Sequence, residues 1–192
     1  MNAHTPQSFA ARNKLLTVRT DVQRIAQTIQ AQLTAPNQPD LRATLDGQHP
    51  ADLADAMLFL NEQEDIAVFK ALDTDEAAEV LDEVDATTRA YLVRSVAPQQ
   101  VAAMLERLPA DEGADVLGAL PQNEIEQVLT HTKLATAQSI RTLLAYDANT
   151  AGGIMSLGFV AVPNTATQAQ AVRQYATQLD ADVSPYVYVV DA

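Results

Sequence analysis

Asp111 and Asp115, four residues apart, are among the acidic pairs in this sequence whose spacing could do chemistry. On a helix, positions i and i+4 share a face, and two like charges there repel by roughly 0.2–0.5 kcal/mol. A divalent cation would relieve that repulsion. Hard divalent cations take oxygen ligands, carboxylates among them. Taken alone, each acid reads better as a solvated surface charge, and Asp111 as the cap of its helix. Asp82, Glu83 and Asp85 make a denser acidic run, which reads as a solvated face. His49 and His131 are too isolated for a histidine metal site, and His49 suits the start of a helix better. Cysteine is absent, which removes thiolate metal sites, disulfides and cysteine nucleophiles. No nucleophile stands beside a base and no glycine-rich loop cradles a phosphate, so the sequence does not read as an enzyme.

The acids lie in a field of their own sign. Of a net charge of −13, residues 49–132 carry 18 acidic and 4 basic side chains, a local −14. Such a surface repels nucleic-acid phosphates and attracts cations, which excludes nucleic acid as a partner class. No apolar run approaches the ~20 residues that span a bilayer. The N-terminus lacks the compact apolar stretch of a secretory signal.

The elements that must position the acids follow from a repeat. From His49 the sequence runs through seven consecutive units of twelve residues without a gap. The eighth position reads Ala56, Val68, Val80, Leu92, Met104, Val116, Val128, and the ninth Met57, Phe69, Leu81, Val93, Leu105, Leu117, Leu129. The twelfth is aliphatic except at Thr132. Positions five, eight, nine and twelve are spaced as the apolar stripe of an amphipathic helix. Asp65, Arg89 and Gly113 interrupt the fifth. Each unit opens on a breaker or a cap: Pro50, Asn61, Asp73, Asp85, Pro98, Pro109, Pro121. The spacing predicts a helix of eight or nine residues and a tight turn per unit. Helices that short are unstable alone, so they must stack on their neighbours as a solenoid. Glu79, Asp115 and Asp55 all hold the seventh position of their units and could project from one side.

On the flanks, residues 8–33 read as a helix with Leu15, Val18, Val22, Ile25 and Ile29 on one face, an extension or interaction arm. Ala35–Gln38 reads as a linker. After the repeat, Lys133–Ala145 is one more helix with Ile140, Leu143 and Leu144 inward. Gly152 and Gly153 then break the helical pattern. Phe159–Pro163 and Tyr186–Val190 read as strands on either side of a helix over Thr165–Leu179. A strand–helix–strand unit so near the end predicts a chain that stops within a domain.

The repeat, together with Tyr146–Ser156, resembles the MgtE family of magnesium channels. The His-Pro-Ala-Asp-Leu-Ala opening at His49–Ala54, the Ala-Gly-Gly-x-Met passage at Ala151–Met155 and the Val-x-Val-Pro strand carry the resemblance over residues 49–163. It implies a mainly α protein: a right-handed superhelix of short helices in twelve-residue repeats, followed by a truncated α/β CBS unit. The implied limits are a superhelical domain at 49–146 and a partial CBS domain at 147–192; the helical extension and linker at 1–48 lie outside the resemblance. The implied function is the magnesium-sensing cytoplasmic region of a homodimeric transporter. Its partners would be the remaining CBS and transmembrane domains of the same protein, at the cytoplasmic face of the membrane. Of the family's magnesium ligands, Glu79 matches within Ala77-Ala-Glu-Val-Leu81, and Asp111 and Asp115 match a pair of acids four apart. CBS domains of the family can bind ATP, and Tyr186 falls where an adenine-stacking aromatic would lie. Two alternatives remain at this point: a helical scaffold akin to the middle domain of the flagellar motor protein FliG, and a CBS-linked regulator without a pore.

Overall fold

The computed structural model describes residues 7–35, 41–147, 150–177 and 186–191, with side chains from residue 21 onward. The expected linker from residue 36 on, the side chains of Leu15 and Val18, and the end of the last helix lie outside the described residues. Within them, a long α1 (Gln7–Thr34) and a single-turn α2 (Leu41–Leu45) precede the repeat. The repeat is α3 (Pro50–Met57), α4 (Glu62–Ala71), α5 (Thr74–Glu83), α6 (Ala86–Arg94), α7 (Pro98–Leu105), α8 (Ala110–Gly118) and α9 (Gln122–His131). Then come α10 (Leu134–Leu144), β1 (Val160–Pro163), α11 (Gln168–Thr177) and β2 (Val187–Val190).

The unit-opening residues do the work expected of them. Asn61 and Asp73 each accept from two amides of the first turn, while Glu64 and Glu76 reach back to the cap amide, forming two capping boxes. Asp85 accepts from the amides of Thr87 and Thr88. His49 caps α3, its Nδ1 accepting from the amide of Ala51 at 3.3 Å. Pro50 and Pro98 are the first residues of α3 and α7, where a missing N–H costs nothing. The helices of the repeat run to eight, nine or ten residues, slightly longer than the pattern predicts.

Every residue at the eighth and ninth positions of the seven units is buried, none more than 6% exposed. Thr132, the break in the twelfth position, is buried as well, and its hydroxyl donates to the Val128 carbonyl at 3.1 Å. A hydroxyl satisfied within its own helix can be buried at little cost.

The chain forms two compact units, divided after Met104. In the first, helices pack on the next but one along the chain: α2 on α4, α3 on α5, α4 on α6. The C-terminal half of α1 is part of this unit rather than a free arm, with Val22 and Ala26 packed against Ala56, and Ile25 and Leu60 beside them. Arg42 of α2 clamps the turn between α4 and α5. It binds Glu76 with both guanidinium nitrogens and Asp73 at 3.6 Å, and lies 3.5 Å from the Ala71 carbonyl. In the second unit α8 packs on α10 by the same skip. Farther on, β1 and β2 pair in parallel, Val160 opposite Val187 through Pro163 opposite Val190. Val160 and Val162 are buried, and Gln174 of α11 donates to the Ala161 carbonyl at 2.9 Å. β2 is exposed along its whole length.

Candidate metal-binding surface

The acids are set by the burial pattern of their own helices. In α5, Ala77, Ala78, Val80 and Leu81 turn into the core, which leaves Glu79 exposed on the opposite face. In α8, Gly113, Ala114, Val116 and Leu117 are buried, while Asp115 is exposed and Asp111 half-buried one turn earlier. The cap of α8 is Pro109, which offers no side-chain acceptor. Asp111 is therefore the second residue of the helix and not its cap, placed where a carboxylate complements the helix dipole.

The structure thus puts Asp111 and Asp115 on one helix face in the second unit and Glu79 on a helix of the first. Among the described residues, no group of three or more His, Cys, Asp or Glu side chains is gathered closely enough to hold a metal ion. The donor set at α8 is two carboxylates, one exposed and one half-buried. That suits an ion retaining most of its water, and it does not suit a dehydrated cage. His49 is occupied in capping, and His131 lies exposed in the last turn of α9. Tyr186 stands 67% exposed just before β2. It does not line the 430 Å³ groove that Pro163, Thr165, Ala166, Gln170, Arg173 and Gln174 form beside α11.

The three interruptions of the fifth position prove to have separate structural causes. Arg89 turns back onto the C-terminal end of α5: its Nε donates to the Leu81 carbonyl at 2.7 Å, and Nη2 to those of Asp82 and Val84 at 2.9 and 3.0 Å. Cationic donors at a helix C-terminus satisfy its orphan carbonyls. Gly113 makes space for α10, since a Cβ there would lie 3.0 Å from Ile140 Cδ1 and 3.5 Å from Leu105 Cδ2. Asp65 is buried in the core and accepts a hydrogen bond from the Tyr91 hydroxyl. The spacing rules mark these positions as faults, and a charged or missing side chain at a core position signals that something there needs it. Glu106 breaks no spacing rule. It serves as a remote cap for α10, accepting from the Lys133 amide at 2.7 Å and from the Thr136 hydroxyl at 3.2 Å. Those contacts, with the Lys133 ammonium at 3.0 Å, outweigh the opposing effect of burial and hold its carboxyl below the usual range.

No helix among the described residues is long and apolar enough to cross a membrane. The sequence model of the MgtE intracellular N domain matches residues 48–149. No curated protein sequence matches the chain. Among solved structures, the chain resembles the cytosolic domain of the Mg2+ channel MgtE, crystallised in complex with ATP. The identity is 29% and the TM-score 0.67, over 79% of this chain and 62% of that one. It also resembles the soluble part of a magnesium transporter, at 24% identity and a TM-score of 0.64 over 91% of this chain and 68% of that one. The second likeness is one of fold. The chain spans 62% of the first structure's length. With more than half of its residues matched by one domain family, and with that family's helical architecture, the chain belongs to the MgtE family through its intracellular N domain.

Proposed function

We propose that this chain is the magnesium-sensing regulatory region of an MgtE-type magnesium transporter, acting at the cytoplasmic face of the membrane. In this reading residues 49–146 are the sensing domain, 1–48 an extension of it, and 147–192 the start of a CBS domain. The observation that carries the reading is the Asp111–Asp115 pair on the outward face of α8, within a segment of net charge −14 and in a chain of this family. Asp111 and Asp115 would hold a largely hydrated Mg2+, and Glu79 would contribute to a second half-site on α5. The ion supplies positive charge that screens acidic surfaces from one another. When it leaves, the surfaces repel and the parts of the transporter separate. The chain's own residues provide the charge and its placement, and no bond is made or broken. The partners are the other CBS and transmembrane domains of the same protein and a second copy of it. ATP is the ligand proposed for the CBS domain, with Tyr186 as a contact. Nothing in the geometry favours the scaffold alternative over this reading.

A magnesium titration of the chain, followed through its backbone amide NMR signals, tests the reading. The account expects saturable shifts centred on α8 at millimolar magnesium, lost in the Asp111→Ala, Asp115→Ala variant while its circular dichroism is unchanged. Shifts of equal size in the variant would show that the pair does not bind the ion.

A further inference from the structure

Asp65 takes no part in the surface described above. It stands in the first turn of α4, is only 3% exposed, and its two oxygens are treated differently. Oδ2 accepts from the hydroxyl of Tyr91 on α6; Oδ1 is buried with no hydrogen-bond partner. An ionised carboxylate in that setting would keep a charge out of water with a single neutral donor to balance it, which is costly.

The charged groups around it make matters worse for the ionised form. From α4 itself come Glu62 and Glu64, and at the start of α6 stands Asp85, all negative. Several arginines of the helices packed on α4 have contacts with other groups. Arg42 of α2 holds Glu76 and Asp73, Arg24 of α1 pairs with Asp21, and Arg89 of α6 caps α5. Arg94 is exposed in the last turn of α6. Tyr91 cannot relieve the site by ionising, because burial and the nearby carboxylate push its hydroxyl up to about 12. It remains a donor at any physiological pH.

We propose that Asp65 and Tyr91 form a proton-binding site buried between α4 and α6, whose occupancy sets how firmly the two helices hold together. A neutral acid accepts the Tyr91 hydrogen bond and removes the buried charge. Loss of the proton restores that charge among three other acids. The site lies on the helices that precede and follow α5 in the chain. It does not depend on the magnesium reading.

Burial, the largest influence, holds the Asp65 carboxyl above its ordinary value, with the Tyr91 bond opposing. The folded chain then keeps a proton that the unfolded chain has already lost. Stability from this group therefore falls as pH rises from the ordinary carboxylate value through the raised one. Glu76, Asp85, Glu106 and Glu126 are shifted down and act in the opposite sense, so the site must be isolated by difference. The test compares thermal unfolding of the chain with that of Asp65→Asn between pH 4 and 8, together with carboxyl carbon-13 NMR of Asp65 in the unaltered chain. The expected result is a variant that melts higher by about 2–4 °C at pH 7.5. That gap should close towards pH 4, and the Asp65 carboxyl should titrate above the ordinary range. A gap independent of pH, or an Asp65 that titrates at or below the ordinary range, would overturn the proposal. If Asp65→Asn does not fold, the carboxyl titration decides alone. A titration midpoint that moves with added magnesium at fixed ionic strength would make this a metal site and also overturn it.

Discussion

At the scale of single residues, the fifth position of the repeat shows how a break in an apolar pattern becomes informative. Gly113 is the plainest case. A helix interior disfavours glycine by ~1 kcal/mol relative to alanine, yet α8 keeps it on the side facing α10. The Cβ position there lies 3.0 Å from Ile140 Cδ1 and 3.4 Å from Ile140 Cγ1. Alanine would ask Ile140 to give way by a few tenths of an ångström, which its flexible end can do. Leucine would drive α8 and α10 apart. Gly113→Leu should lower the stability of the chain by about 1–3 kcal/mol, as overpacking of cores commonly does, read in a urea melt. A melt that matches the unaltered protein would mean that α8 and α10 do not approach at this point. The Tyr146–Gly152 contact is of the same kind, the ring lying where a Cβ on Gly152 would be. The sequence shows a glycine at each of these places and cannot show what leans on it, because the partner is 27 residues away in the first case and across a turn in the second.

Among the elements, caps made within a unit were legible and caps made between units were not. Asn61, Asp73 and Asp85 sit one residue before their helices and can be read from spacing alone. Glu106 closes a helix that begins elsewhere in the chain, so no local rule finds it, while Arg89 registers only as a charge at a core position. The short α2 escaped for another reason: five residues with two leucines have too little periodicity to register. The role of α1 was half legible. Its apolar face was plain, but whether that face met this chain or another depended on what α3 leaves open. Asp85 gives the test at this scale. Its carboxyl is held below the usual range, first by the Thr88 hydroxyl and then by the Thr88 and Thr87 amides. A carboxyl shifted down stabilises the folded state above its unfolded value, near about pH 4, and that contribution is lost as pH falls through the lowered one. Asp85→Ala should therefore cost ~1 kcal/mol at pH 7, and the difference from the unaltered chain should shrink below about pH 4. Thermal melts at both pH values check it; a difference that persists in acid would mean that the charge is not what caps α6.

For the molecule as a whole, the period of twelve was the strongest signal in the sequence, and its reason is visible in the packing. Each helix is too short to bury its stripe alone, and α2, α3, α4 and α8 each rest on the next helix but one, so the units repeat the same aliphatic positions. The candidate site was legible in a weaker sense. Spacing identifies Asp111 and Asp115 as neighbours on a face, and the burial of Val116 and Leu117 confirms which face is outward. The proposed action on magnesium would arise from charge meeting charge across surfaces, and a single stretch of sequence does not contain it. The intact transporter would. Currents or magnesium uptake through the full-length protein carrying Asp111→Ala and Asp115→Ala, measured while cytoplasmic magnesium is raised, address the claim directly. Asp115 is exposed and Asp111 half-buried in the first turn of α8, so the fold should lose no more than about 1 kcal/mol. The account predicts a transporter that stays active at a magnesium concentration that shuts the unaltered protein. Closure at the same concentration in both would contradict it, leaving the two aspartates as surface charges with no part in sensing.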